Sequence, residues 1–198
     1  MDVVSFYTKR IKRYGATPQS VGWKNRYNQR IRFHTFCNEF DFFKKSVLDV
    51  GCGLGDFYHY LKLLKKDVQY TGIDACEQMI QTAKDAYPSG QFYTTWLEEY
   101  QTKIPFDSVV ASGVFSLRVT DQKNYFLRQL QSAYSLAREI LMVNILTREM
   151  PKKEQFKCFY YYDPELLKND IKQLQPTPKS MDIIEGYLEG DATVVIKR

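Results

Sequence analysis

No stretch of the chain approaches the roughly 18 to 20 consecutive apolar residues that a membrane-spanning helix needs, which excludes such a helix. The opening MDVVSFYTKRIKRYG lacks an apolar core followed by a small-residue cleavage site. Secretion is therefore not expected, and the reading is a cytoplasmic protein with no membrane partner. Cysteine is sparse. Cys37, Cys52, Cys76 and Cys158 are widely spaced and form no CxxC pair. That argues against a disulfide framework and against a zinc site, and no metal is expected. Histidine is scarcer still, with only His34 and His59 to serve as a general base, and a structural role is expected for each. Repeats and low-complexity tracts are missing too.

What is present is an ordinary globular composition, with 44% hydrophobic and 26% charged residues. A length of 198 residues suits one domain over 1–198, with an N-terminal helical cap at 1–45 and an α/β core at 46–198. The net charge of +5 is uneven: residues 1–36 carry +7 and the remainder −2. The basic segment is either a solvated helical face or a rim that attracts an anionic ligand.

Residues 2–14 have mixed helical character, with Phe6, Tyr7 and Ile11 as docking positions. A turn-rich break over 15–22 follows, then an amphipathic helix over 23–43. From Ser46 strands and helices alternate. Strands are predicted at 46–50, 68–73, 91–95, 106–112 and 139–146, with helices at 58–65, 74–86 and 122–136 between them. Asp163-Pro164 opens a further helix as N-cap and first residue. Two last strands, 181–189 and 192–197, flank the hairpin signal Gly190-Asp191. This order predicts a Rossmann-like, doubly wound α/β fold with helices on both faces. The irregular stretch 147–162 leaves the carboxyl end of strand five, where open α/β sheets bind ligands, so a lid role is expected of it.

The segment Val47-Leu48-Asp49-Val50-Gly51-Cys52-Gly53-Leu54-Gly55-Asp56-Phe57 reads as a strand, a glycine-rich turn and a helix start. Such a turn brings main-chain N–H groups and a helix N-terminus to a ligand. Asp56 stands where the dinucleotide fingerprint needs a third small residue, which turns the reading away from NAD and FAD. No Gly-Lys-Ser/Thr follows, so a Walker phosphate loop is excluded. Asp74 closes strand two some twenty residues on, where an acid can accept hydrogen bonds from both ribose hydroxyls.

These residues resemble motif I and the strand-two acid of the class I S-adenosylmethionine (AdoMet) dependent methyltransferases. The similarity runs through nearly the whole chain. Tyr14-Gly15-Ala16-Thr17-Pro18, Gly22-Trp23, Arg26, Gln29, Arg32-Phe33, the Ser112–Phe115 run, Tyr162-Asp163-Pro164 and Gly186–Val194 resemble a group of small bacterial methyltransferases. The resemblance implies a seven-stranded sheet, mostly parallel, with strand seven inserted antiparallel. It implies AdoMet as cofactor and S-adenosylhomocysteine (AdoHcy) as product. Asp49 would support the turn and the cofactor's amino end, while Gly51, Cys52, Gly53 and Gly55 floor the methionine and ribose. Asp74 and Ala75 would hold the ribose. Trp96 either stacks on adenine, with the Leu97 main chain reading its amine, or is a core tryptophan. Ser112 and Gly113 approach the methyl end. Arg26 and Arg32, at helical spacing with Gln29, either bind the cofactor carboxylate or form a solvated stripe. Tyr160, Tyr161 and Tyr162 either wall the substrate or pack. No catalytic residue is assigned.

Strand four does not end in Asn/Asp-Pro-Pro-Tyr, Cys158 follows Lys157 rather than Pro, and Ser112 is not an acidic metal ligand. These absences point to a small-molecule acceptor. The basic N-terminus keeps tRNA or DNA as the alternative, and an AdoMet-binding module without transferase activity is a third reading.

Overall fold

The structure is a computed structural model that describes residues 2–198. Seven strands form one sheet in the order β3-β2-β1-β4-β5-β7-β6. They are β1 (Ser46–Val50), β2 (Gln69–Asp74), β3 (Gln91–Thr94), β4 (Phe106–Ser112), β5 (Ala137–Leu146), β6 (Ser180–Ile184) and β7 (Asp191–Lys197). The pairings that join β1 through β5 are parallel, whereas β7 lies antiparallel between β5 and β6. That is the doubly wound sheet the element order predicted, with the inserted antiparallel strand that the resemblance implied.

The central strands bury both faces, so their side chains alternate between two cores. Leu48, Val109, Leu141 and Val194 enter the core covered by α5 (Gln122–Leu136) and α6 (Pro164–Ile171). Their neighbours Val47, Val110, Met142 and Val195 enter the opposite core. That second core is covered by α2 (Arg26–Glu39), α3 (Asp56–Leu63) and α4 (Glu77–Ala86). The remaining helix, α1 (Val3–Tyr14), has no fully buried residue and rests through Tyr7 and Ile11 on Leu54, Cys76 and Met79.

Some boundaries differ from expectation, each for a local reason. Helix α3 starts at Asp56 because Gly55, at φ 77°, already serves as its N-cap. Helix α4 waits until Glu77 because Asp74 stays at the strand tip and accepts the Cys76 N–H at 2.8 Å. Strand β6 stops at Ile184 rather than 189. The chain leaves the ladder there, and the Tyr187 hydroxyl reaches Asn144 and Thr193, each at 2.8 Å.

The segment 147–162 is fastened rather than loose. It forms bridges from Leu117 to Phe159 and from Thr147 to Tyr162. Tyr162 belongs to the core, packs on Phe126, and donates its hydroxyl to the Phe115 carbonyl at 2.7 Å. Tyr161 is buried with its hydroxyl accepting the Phe156 N–H, and Tyr160 packs against Tyr162. Packing, not a substrate wall, describes this triplet. Among the described residues no helix is long and apolar enough to cross a membrane.

Candidate functional site

At the carboxyl ends of β1, β2 and β4 the chain turns away from the sheet and leaves a cavity. The glycine turn forms its floor. Gly51 and Gly53 have φ 68° and 53°, which an L side chain adopts only with strain. The Gly51 and Cys52 N–H groups donate to the Ile73 carbonyl at 2.8 and 3.0 Å, which ties the turn to β2. Asp74 completes the splint: its carboxylate accepts from Gly53 N–H at 3.0 Å and from Cys76 N–H at 2.8 Å. Each oxygen retains acceptor capacity beyond the one bond made. Burial pushes this carboxyl above the usual range, against the two backbone hydrogen bonds that lower it.

Asp49, one residue before the end of β1, is buried and accepts the Tyr70 hydroxyl at 2.5 Å. Among the described residues it has no ion-pair partner. Burial pushes its pKa up to about 7, the Tyr70 bond opposes the rise, and the nearby Asp74 and Asp56 charges add to it. Asp191 is equally buried but is paired with Arg32. Asp49 is thus an acid in a cavity wall that pairs with no cation among the described residues.

Ten of the thirteen expected cofactor-site residues line this one cavity. They are Asp49, Gly51, Cys52 and Gly53 from β1 and its turn, Asp74 and Ala75 after β2, Trp96 and Leu97 after β3, and Ser112 and Gly113 after β4. Trp96 is 39% exposed, so it is no core tryptophan, whereas Leu97 is core. The Ser112 hydroxyl is buried and has no hydrogen-bond partner among the described residues.

Three expected residues do not line it. Gly55 caps α3 and faces Phe92 and Tyr87, so its role is close packing. Arg26 is exposed at the start of α2. Arg32 is the clear correction: its guanidinium is buried and pairs with the Asp191 carboxylate. It also donates to the Asn28 carbonyl at 2.8 Å and stacks 3.9 Å from the Trp23 ring. A guanidinium spent in this way is not available to a ligand carboxylate. The polar stripe that suggested a ligand contact is a structural clamp.

Several lining residues escaped the sequence reading. Tyr7 and Val3 of α1, Trp23, Gln29, Asp56 and Tyr125 all face the cavity. Trp23 and Gln29 sit within the N-terminal resemblance, yet their placement depends on how the cap folds back. Trp23 lies so close to β4 that a Cβ on Gly113 would stand 2.4 Å from its ring. Neither histidine lines the cavity: His34 is exposed, and His59 stacks on Tyr87 at 5.3 Å.

Residues 48–136 match the methyltransferase domain family. A protein of Invertebrate iridescent virus 6 named as a methyltransferase is 30% identical over 137 residues, 65% of this chain and 51% of its own length. The chain therefore spans about half of that relative. A protein of Mycobacterium tuberculosis (strain ATCC 25618 / H37Rv), also named as a methyltransferase, is 24% identical over 157 residues, covering 77% of this chain and 93% of that one. Among solved structures, DhpI complexed with SAH has a TM-score of 0.72 at 15% identity, over 98% of this chain and 93% of that chain. Magnesium protoporphyrin IX methyltransferase of Synechocystis PCC 6803, with bound SAH, has a TM-score of 0.67 at 16% identity over 98% and 95%. The plantazolicin methyltransferase BpumL scores 0.69 at 15% identity over 98% and 89%. At such identities the structures show the fold alone. Residues 48–136 thus match the methyltransferase domain family, and the chain shares the fold of the methyltransferase structures compared.

Proposed function

We propose that the chain is an AdoMet-dependent methyltransferase whose donor occupies this cavity and whose acceptor is a small molecule. The observation that carries the reading is the Gly53–Asp74 hydrogen bond. It joins the glycine turn and the strand-two acid in one wall, beside a second buried acid, Asp49, that has no cationic partner among the described residues. A ligand bearing an ammonium and two ribose hydroxyls fits that donor and acceptor set.

In this reading Asp74 accepts the ribose hydroxyls and Asp49 faces the amino end. The glycine turn lies under the methionine portion, Trp96 and Leu97 border the adenine, and Ser112 and Gly113 border the methyl end. With Arg32 committed to Asp191, and the Gly51, Cys52, Gly53 and Gly55 N–H groups bonded within the protein, no side chain or turn N–H is assigned to the donor's carboxylate. Bound AdoMet would supply an activated methyl on its sulfonium. The residues of the chain then bind, orient and exclude water, which is the larger share of such a reaction. No histidine base is assigned.

Calorimetry with AdoMet and AdoHcy tests the donor site. Transfer of label from methyl-labelled AdoMet to fractionated cell extract tests the activity. A folded protein indifferent to both compounds at millimolar concentration overturns the reading. Binding without turnover on any fraction would instead make the chain an AdoMet-binding module. A nucleic-acid acceptor is the second reading, favoured by the exposed cations Lys9, Lys12, Arg13, Lys24, Arg26 and Arg30. Loss of labelled product after nuclease treatment of the extract would establish it.

A further inference from the structure

The cover of the cavity is not the segment after β5. That segment is pinned by two bridges and by hydrogen bonds from Arg118 N–H to Cys158 and from Tyr160 N–H to Ser116, at 2.8 and 2.7 Å. Helix α1 lies over the cavity instead, with Val3 and Tyr7 in its lining. Tyr7 is partly buried against Leu54, Cys76 and Met79. Burial drives its hydroxyl pKa up, and the charged or titratable groups facing it are Asp74, Arg10, Cys158 and Tyr125. They come from β2, from α1 itself, from the pinned segment and from α5. Among the described residues the Tyr7 hydroxyl makes no hydrogen bond to protein.

The helix that carries this residue is weakly attached. None of its side chains is fully buried, whereas α2 buries five and is clamped through Arg32. The one side-chain hydrogen bond from α1 to the α/β core among the described residues is Thr8 to Cys76, at 3.6 Å to sulfur. Its C-terminus ends on Gly15 at φ 61°, with nothing within 4 Å of where a Cβ would stand. A segment with few buried contacts opens at low cost.

We infer that α1 is a cover that lifts to admit and release the nucleoside and that Tyr7 contacts the nucleoside once the cover is down. This rests on the cavity being the AdoMet site, and its test separates the two ideas. Thr8→Cys places a thiol beside Cys76, and oxidised glutathione would pin α1 to the core. With the cover pinned, association and release of AdoHcy should each slow at least tenfold, and a reductant should restore both. Rates unaltered by a verified Thr8–Cys76 crosslink would overturn the inference. Tyr7→Phe should weaken AdoHcy about two- to tenfold, the effect of one lost neutral hydrogen bond. An unchanged affinity would remove Tyr7 from the contact.

Hydrogen exchange of the unmodified chain without any ligand gives a separate decision. Amides of α1 should exchange at least a hundredfold faster than those of α2. Equal protection overturns the cover even if AdoHcy fails to bind or the crosslink fails to form. A failure of AdoHcy to bind, with α1 exchanging fast, would sink the nucleoside site and Tyr7's role while leaving the mobile cover standing.

Discussion

The Arg32 guanidinium grips the Asp191 carboxylate across 159 residues of sequence, donating from Nε to Oδ1 at 2.8 Å and from Nη2 to Oδ2. Asn144 donates to the same carboxylate at 3.1 Å, and Trp23 stacks on the guanidinium. Cap helix, sheet hairpin and cavity wall are thereby one unit, because Trp23 also touches Gly113 and lines the cavity.

Removing one member of this pair leaves a buried charge without compensation. Arg32→Ala is expected to destabilise the fold by about 3–5 kcal/mol, read as a fall in the urea midpoint at constant slope. Replacing Arg32 and Asp191 together by Met and Leu should recover much of that loss. A single variant as stable as the parent would mean the pair contributes nothing.

Asp74→Ala should weaken AdoHcy binding by about 1–3 kcal/mol, roughly fivefold to 150-fold, by calorimetry. The same change leaves Gly53 N–H and Cys76 N–H without their acceptor, so the melting temperature should fall as well. Unchanged affinity in a folded variant would count against the ribose assignment.

The raised pKa of Asp49 makes two opposite pH dependences. An unfolded aspartate titrates near 3.9, and the folded value is about 7, so the folded state binds more protons between them. Its contribution to stability is complete below about pH 4 and declines as pH rises through 7. Affinity for AdoHcy should move the other way and tighten from pH 6 to 8, because the ammonium favours the ionised carboxylate. Asp49→Asn should flatten both profiles, in thermal melts and in calorimetry.

Gly53→Val combines a backbone at φ 53° with a Cβ only 2.8 Å from the Val21 side chain. The collision is with the connection between α1 and α2, not only with space for a ligand. The expected result is loss of AdoHcy binding together with faster hydrogen exchange in residues 16–23. A variant that loses binding while that connection stays protected would show that the ligand's own space was filled.

Much of the site was readable because it is local. The glycine turn, the acid at the end of β2 and the tip of β4 each follow a strand within a few residues, and parallel strands bring their carboxyl ends to one side. The local pattern, together with the family resemblance it carries, therefore sufficed for ten lining residues. Arg32 was misread because its partner is remote. An Arg-x-x-Gln stripe facing solvent, a ligand or a buried aspartate looks the same in one dimension, and Asp191 was counted as part of a turn. The lid expected over 147–162 fails for a related reason: an irregular segment after β5 looks free until its bridges to residues 116–118 and 146–148 are seen.

Alternating hydrophobicity, turn chemistry and glycine placement are properties of short windows, so the linear order of residues was enough to specify a doubly wound sheet and a glycine floor with an acidic tip beside it. Which charges are neutralised and which helix covers the cavity depend on contacts between segments far apart in the chain. Those were decided only when the cap folded back, leaving Asp191 paired with Arg32, Asp49 without a cation among the described residues, and Tyr7 in the cavity lining.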